Sequence, residues 1–211
     1  MRRKLFTFYE KLYRYFGPQK WWPAESPFEV VVGAILTQNT NWGNVEKAIR
    51  NLKAKKVLNA QKLNQLSGKK LALLIRPSGF YNLKSKRLKE FLKFFFSNYG
   101  GKIRKMAAAD ALSLRQALLA VKGIGRETAD SILLYALNKP IFVVDAYTRR
   151  IFSRHKLIPE DATYDEIQSL FMRNLKNEVQ LFNEYHALLV KLGKEFCLKR
   201  RPRCEECPVK S

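Results

Sequence analysis

Acid is scarce in this sequence. Eighteen Asp and Glu stand against forty Lys and Arg in 211 residues, which leaves a formal net charge of +22. Such a surplus implies polyanionic partners and salt-sensitive binding, although an anionic membrane surface would draw it too. Long apolar runs are also missing. A bilayer-spanning helix needs about 18 or more consecutive apolar residues, and none occurs. At the N-terminus, LFTFYEKLYRYF interrupts its apolar positions with Glu10, Lys11 and Arg14, which predicts a first amphipathic helix and excludes a secretory signal, so an intracellular setting (cytoplasm or nucleoid) is expected. There are three cysteines, an odd number that supports no disulfide framework, and two histidines, His155 and His186, with no partner pattern and ordinary packing or surface roles expected of them. Internal repeats, low-complexity tracts and long linkers are lacking as well.

What is present is enough apolar residue, 46%, for one large or two small domains with real cores. The most informative run is Leu118 to Ile151. Leu118, Leu119 and Val121 precede Lys122-Gly123-Ile124-Gly125, after which Ala129, Ile132, Leu133 and Ala136 recur at helical spacing. The pattern reads helix, tight turn, helix. Glycines free the turn to adopt angles that other residues resist, and they leave the N–H groups opening the next helix accessible to an anion. With Lys122 and Arg126 alongside, a nucleic-acid phosphate fits that nest, though a bare Gly-x-Gly also fits an ordinary turn. The apolar Ile141-Phe142-Val143-Val144 then delivers Asp145 at the start of the amphipathic Ala146-Tyr147-Thr148-Arg149-Arg150. Capping that helix is the commonest task for such an aspartate.

Elsewhere, Gly17-Pro18 breaks the first helix and Trp21-Trp22-Pro23 follows, either an aromatic shelf or a core plug. Pro27 to Leu36 carries three valines, yet small Gly33 and Ala34 favour a buried helix. Thr37 to Trp42 interrupts it and Val45 to Leu52 resumes helical spacing. Further helices are predicted over Leu63 to Ile75, Leu83 to Phe96 (basic on one side through Lys84-Ser85-Lys86-Arg87), Met106 to Ala120, Tyr164 to Val179 and Asn183 to Phe196. Arg76-Pro77-Ser78-Gly79 is a turn. Cys197, Cys204 and Cys207 cluster near the end, with six and then two residues between them and basic residues interleaved. Metal ligation is the leading reading, with zinc or a metal-free basic loop left open.

GIGRETAD followed by VVDAYTRR resembles the helix-hairpin-helix, Gly-Pro-Asp superfamily of DNA glycosylases, in its endonuclease III group, and the likeness runs over nearly the whole chain. It implies an all-α, two-lobed fold with a DNA-binding cleft between the lobes: residues 1–21 with 136–211 as one lobe bearing the cysteine loop, and residues 22–135 as a helical-barrel lobe bearing the hairpin. It further implies a monomer acting on double-stranded DNA that contains a damaged base, and no membrane partner. By resemblance, Asp145 is catalytic, Lys122, Gly123, Ile124, Gly125 and Arg126 grip the DNA backbone, Gln38 enters the gap left by an extruded base, Phe80 is an apolar wedge beside it, and Lys194 is a further DNA contact. Taken alone, Gln38 also reads as a polar residue at a helix C-terminus and Phe80 as a core anchor. The three cysteines match the first three ligands of the family's [4Fe-4S] loop. The fourth ligand in that pattern would be number 213, past the last residue of the sequence, so either the sequence is trimmed or a fourth ligand comes from elsewhere.

Bifunctional members carry a lysine where Glu127 stands and use it to form a Schiff base. A carboxylate cannot form that imine, so a monofunctional glycosylase is expected. Trp-Trp-Pro, LTQNT with Trp42 two residues on, RPSGFYN and Glu127 are similar to the 3-methyladenine DNA glycosylase III branch. That likeness implies a base pocket of Trp21, Trp22, Pro23 and Trp42 for an electron-poor alkylated purine, with Glu127 supplying a hydrogen bond or countercharge. The branch lacks the cysteine loop, so the chain combines features of two branches. The alternatives are excision of thymine or uracil opposite guanine, or of oxidised pyrimidines, and, in another class, a non-catalytic DNA-binding module.

Overall fold

Helical periodicity becomes helix almost throughout. The computed structural model describes residues 1–210, and among these there are twelve α-helices, one 3-10 turn, one π-helical segment and no strand. In chain order they are α1 (Arg2–Phe16), α2 (Pro27–Leu36), α3 (Trp42–Ala54), α4 (Ala60–Gln65), α5 (Gly68–Leu74), α6 (Tyr81–Tyr99), α7 (Ile103–Ala108), α8 (Ala111–Leu119), α9 (Arg126–Ser131), α10 (Ala146–Arg154), α11 (Tyr164–Asn174) and α12 (Val179–Glu195). The 3-10 turn is Arg76–Ser78, and the π segment, Ile132–Ala136, continues α9. No helix among the described residues is long and apolar enough to cross a membrane.

The chain divides into two compact units, Met1–Pro23 with Pro140–Ser211, and Ala24–Lys139. The second boundary falls after the π segment instead of at residue 136, because Lys139 stays with the preceding elements. Its N–H donates to Leu133 O at 2.9 Å and its ammonium to Ala109 O at 2.6 Å.

In the first unit, α12 packs on α10 and α1. Leu5, Phe8 and Leu12 point inward from α1 and join an aromatic core in which Phe142 and Phe171 stack at 3.8 Å, with Phe182 and Tyr185 set edge-on to Phe142. Each such ring taken from water contributes about 1.5–3 kcal/mol. Tyr185 keeps its hydroxyl satisfied on Leu5 O at 2.9 Å.

In the second unit, α2 is enclosed from Phe28 to Leu36. Its valines do not make it a strand, because Ser26 caps it and Pro27 opens it with a pre-set φ. Three expected helices are shorter than predicted, and caps or extended residues explain each. Residues 63–75 split at Ser67, which accepts from Lys70 N to start α5. Residues 106–120 split at Asp110, whose carboxylate accepts from Ser113 N at 2.9 Å and starts α8. The helix expected over 164–179 ends at Asn174, and Leu175 is extended before α12 begins at Val179. On α6, the basic run does not all face one way: Lys84 and Ser85 are buried, at 1% and 2% exposed, while Lys86 and Arg87 are not buried.

Candidate nucleic-acid interface and catalytic carboxylate

The hairpin belongs to the second unit. After α8, Gly123 adopts φ 91°, a left-handed conformation that favours glycine. Gly125 is different. At φ −93° and ψ 178° it is extended backbone that any residue adopts, and it precedes α9. Ile124 between them is buried and plugs the turn inward, while Lys122, Arg126 and Glu127 are exposed. Arg115 on α8 holds Asp130 on α9 through two hydrogen bonds, Nε to Oδ1 at 2.6 Å and Nη2 to Oδ2 at 3.0 Å, with Asp130 wholly buried. That pair fixes the two arms of the hairpin against each other.

Gln38 lies beyond the end of α2 and is turned onto the hairpin. Its Nε2 donates to Gly123 O at 3.0 Å and to Thr128 Oγ1 at 2.9 Å, and its Oε1 accepts from Arg87. The Arg87 stem lies against Gly123, where an added Cβ would run into it. For Gln38 to fill a gap in a duplex, these bonds must first open. Phe80 precedes α6 at φ 44° and is 67% exposed. A bulky residue held in a left-handed conformation with its ring in solvent is costly on both counts, a combination that concentrates at functional sites. It is not a core anchor. Trp42 opens α3, half-buried, with its indole N–H on Glu46 Oε1 at 2.8 Å.

In the first unit, Asp145 caps α10, as its position predicts: Oδ1 accepts from Thr148 N at 2.7 Å and from Thr148 Oγ1 at 2.9 Å. Its other oxygen, Oδ2, lies 3.6 Å from Nε2 of His186 on α12, with the two side chains only 11% and 7% exposed. Burial pushes the Asp145 carboxyl up. The neighbouring His186 and the Thr148 N–H and hydroxyl outweigh burial and hold it below the usual carboxylate range. The result is an ionised carboxylate in a nearly dry place. Sequence spacing offered no signal for His186, which comes from a distant helix. Trp21 and Trp22 sit edge to face, centroids 5.4 Å apart, both half-buried, with Pro23 closing the segment. Lys194 is exposed near the end of α12, where adjacent Gly193 lets the Tyr147 ring of α10 pack flush.

Cys197, Cys204 and Cys207 line one cavity of about 360 Å³ together with Arg154, His155 and Phe196. The three thiols are free, and among the described residues no three donors stand close enough to form a ready-made metal site. Two arginines of α10 anchor this loop: Arg150 donates to Cys197 O at 2.8 Å and Gly193 O at 3.1 Å, and Arg154 to Cys197 Sγ at 3.3 Å and Leu198 O at 2.6 Å. The three sulfurs line one cavity, and a guanidinium donates to one of them.

An all-helical DNA repair protein is the class these parts belong to. Residues 32–177 match the model of the HhH-GPD superfamily base excision DNA repair proteins. A Methanocaldococcus jannaschii protein named as a DNA repair glycosylase is 52% identical over 208 residues, 98% of this chain and 94% of its own. Endonuclease III of Thermotoga maritima is 30% identical over 185 residues, 88% of this chain and 81% of its own. Among solved structures, the H. pylori 3-methyladenine DNA glycosylase bound to 1,N6-ethenoadenine superposes with a TM-score of 0.77 at 33% identity, covering 92% of this chain and 96% of that one. The chain belongs to the HhH-GPD superfamily of base excision DNA repair proteins, as a DNA glycosylase of the endonuclease III type.

Proposed function

We propose that this protein is a monofunctional DNA glycosylase that takes alkylated purines, 3-methyladenine foremost, out of duplex DNA by base flipping. The observation that carries the substrate class is the likeness, over nearly full length, to a 3-methyladenine DNA glycosylase solved with an ethenoadenine. Each unit contributes its own part. The hairpin of the second unit, with Lys122 and Arg126 exposed, binds phosphates through Gly123 to Gly125. Gln38 and Phe80 fill and wedge the stack, and Trp42 offers an aromatic face. From the first unit, Trp21, Trp22 and Pro23 receive an electron-poor base, and Lys194 adds a backbone contact.

Asp145 carries the chemistry. As the glycosidic C–N bond breaks, its carboxylate stabilises the positive charge growing on the sugar and orients a water, whose oxygen bonds to the anomeric carbon while the base departs with the bonding pair. The proton lost by that water passes to the carboxylate or to bulk water. Glu127 stands where an imine-forming lysine would be needed, so no strand cleavage follows. Borohydride trapping of a protein–DNA adduct, with Lys122 the lysine nearest in sequence, would overturn that.

Cys197, Cys204 and Cys207 would hold a [4Fe-4S] cluster together with one further ligand. A bound cluster would rigidify the loop and present its basic residues to phosphates. Anaerobically purified protein is expected to show broad visible absorbance with matching iron and sulfide. Colourless, iron-free protein rejects the cluster.

The deciding experiment measures free bases released from methylated duplex DNA and then nicks before and after alkali. Release of 3-methyladenine with nicks only after alkali establishes the proposed activity. Release from mispaired or oxidised pyrimidines instead moves the substrate class, and binding with no release of any base leaves a DNA-binding module.

A further inference from the structure

Lys84 sits on α6 and is 1% exposed, with no carboxylate partner among the described residues. Burying an ammonium is costly unless strong acceptors replace its water. Here two main-chain carbonyls do so: Nζ donates to Leu36 O at 2.8 Å and to Ser78 O at 2.6 Å. Each is the last residue of a helix, Leu36 of α2 and Ser78 of the 3-10 turn. C-terminal carbonyls lack intrahelical donors and carry the negative end of the helix dipole, so a cation between two of them satisfies both.

The positions just beyond these carbonyls give the arrangement its meaning. Two residues past Leu36 stands Gln38, and two residues past Ser78 stands Phe80. Both loops leave their helix through left-handed backbone, at Asn39 (φ 52°) in one and at Gly79 (φ 68°) and Phe80 (φ 44°) in the other. Conformations of that kind persist only where the surroundings over-determine them. One turn further along α6, Arg87 holds the amide of Gln38 from the outside. The same helix therefore holds both segments, the first through Lys84 on Leu36 O and Arg87 on Gln38, the second through Lys84, whose ammonium donates to Ser78 O and whose N–H donates to Phe80 O at 2.9 Å.

We propose that Lys84 is a positioning residue that makes loops 37–41 and 76–80 one rigid element, so that the plug Gln38 and the wedge Phe80 enter the duplex together when a base is extruded. The assignment rests on the reading of Gln38 and Phe80 as DNA-facing. Burial, and after it the nearby Arg87, lowers the Lys84 pKa to about 8, which leaves the clamp charged at neutral pH.

The test uses a duplex with 2-aminopurine beside the lesion, so that fluorescence reports extrusion separately from base release. Phe80→Ala and Gln38→Ala come first, and each is expected to reduce the flipping signal. If neither does, the DNA-facing reading and the clamp fall together. Lys84→Met should then lower flipping on the order of tenfold, the scale of losing charge-assisted bonds, while affinity for undamaged duplex stays within about twofold. In the Phe80→Ala background the same change should add little, because coupled residues are not additive. A full, independent loss in that background marks Lys84 as merely structural and rejects the proposal. Should Lys84→Met fail to fold, Lys84→Gln, which keeps two N–H donors without the charge, and hydrogen exchange on the wild-type protein carry the test. The amides of the two loops should open with one shared free energy; separate openings reject the clamp.

Discussion

Asp145 divides its work between two oxygens, and that division makes the residue testable. Oδ1 caps α10 while Oδ2 faces His186. Asn caps a helix about as well as Asp, so Asp145→Asn should keep the cap, lose only the stability that the ionised carboxylate adds at neutral pH, and lower single-turnover base release by a factor on the order of 10²–10³, the scale of removing one preorganised electrostatic group. Asp145→Ala should cost stability as well, about 1 kcal/mol for the lost cap. The pH dependence follows from the direction of the shift. Because the folded carboxyl is held below the usual range, its contribution to stability is complete above that range and disappears as the pH falls through the depressed value. His186→Leu removes a principal cause of the depression, so the carboxyl rises and the acid limb of the base-release profile should move to higher pH. An acid limb that stays where it is in this variant would show that His186 does not set the charge of Asp145.

The two glycines of the hairpin turn are alike in sequence and different in structure. An Ala at Gly123 meets a positive φ and the Arg87 stem together, so Gly123→Ala should destabilise by at least about 1–2 kcal/mol and weaken DNA binding by distorting the turn whose N–H groups would meet a phosphate. Gly125→Ala meets open space on extended backbone and should be neutral or stabilising by about 0.4–1 kcal/mol. Paired melting curves check both. In the same element, Arg115→Met takes the guanidinium and its two hydrogen bonds away from the wholly buried Asp130 carboxylate and should cost about 3–5 kcal/mol. Local grammar made much of this element visible beforehand: helical spacing on either side of a glycine turn, and Asp145 at a helix start. What escaped is what the chain assembles over long separations. Nothing near Lys84 in sequence announces two carbonyls waiting for it, so it read only as one member of a basic run. Nothing in the spacing of the cysteines shows that Arg150 and Arg154 anchor their loop. Helix breaks at Ser67 and Asp110 were missed for a smaller reason: a side-chain cap competes with periodicity over only a few residues.

For the whole molecule, the net charge of +22 governs how the protein finds DNA, and the site governs where it stops. Phosphate contacts release counterions, so log K should fall linearly with log salt, with a slope of about −0.9 for each phosphate neutralised. That term does not depend on the base in the pocket. Lesion-bearing and undamaged duplexes should therefore give parallel lines, and the vertical offset between them should measure base recognition alone. Lys194 is exposed and distant in sequence from the aromatic residues assigned to the base. Lys194→Ala should lower both lines and flatten both slopes by about 1, with the offset unchanged. Trp42→Ala should do the reverse, closing the offset while both slopes keep their value. If Lys194→Ala narrowed the offset instead, the lysine would act in the recognition of the base, and the division between a basic surface that binds any duplex and a pocket that selects would not hold.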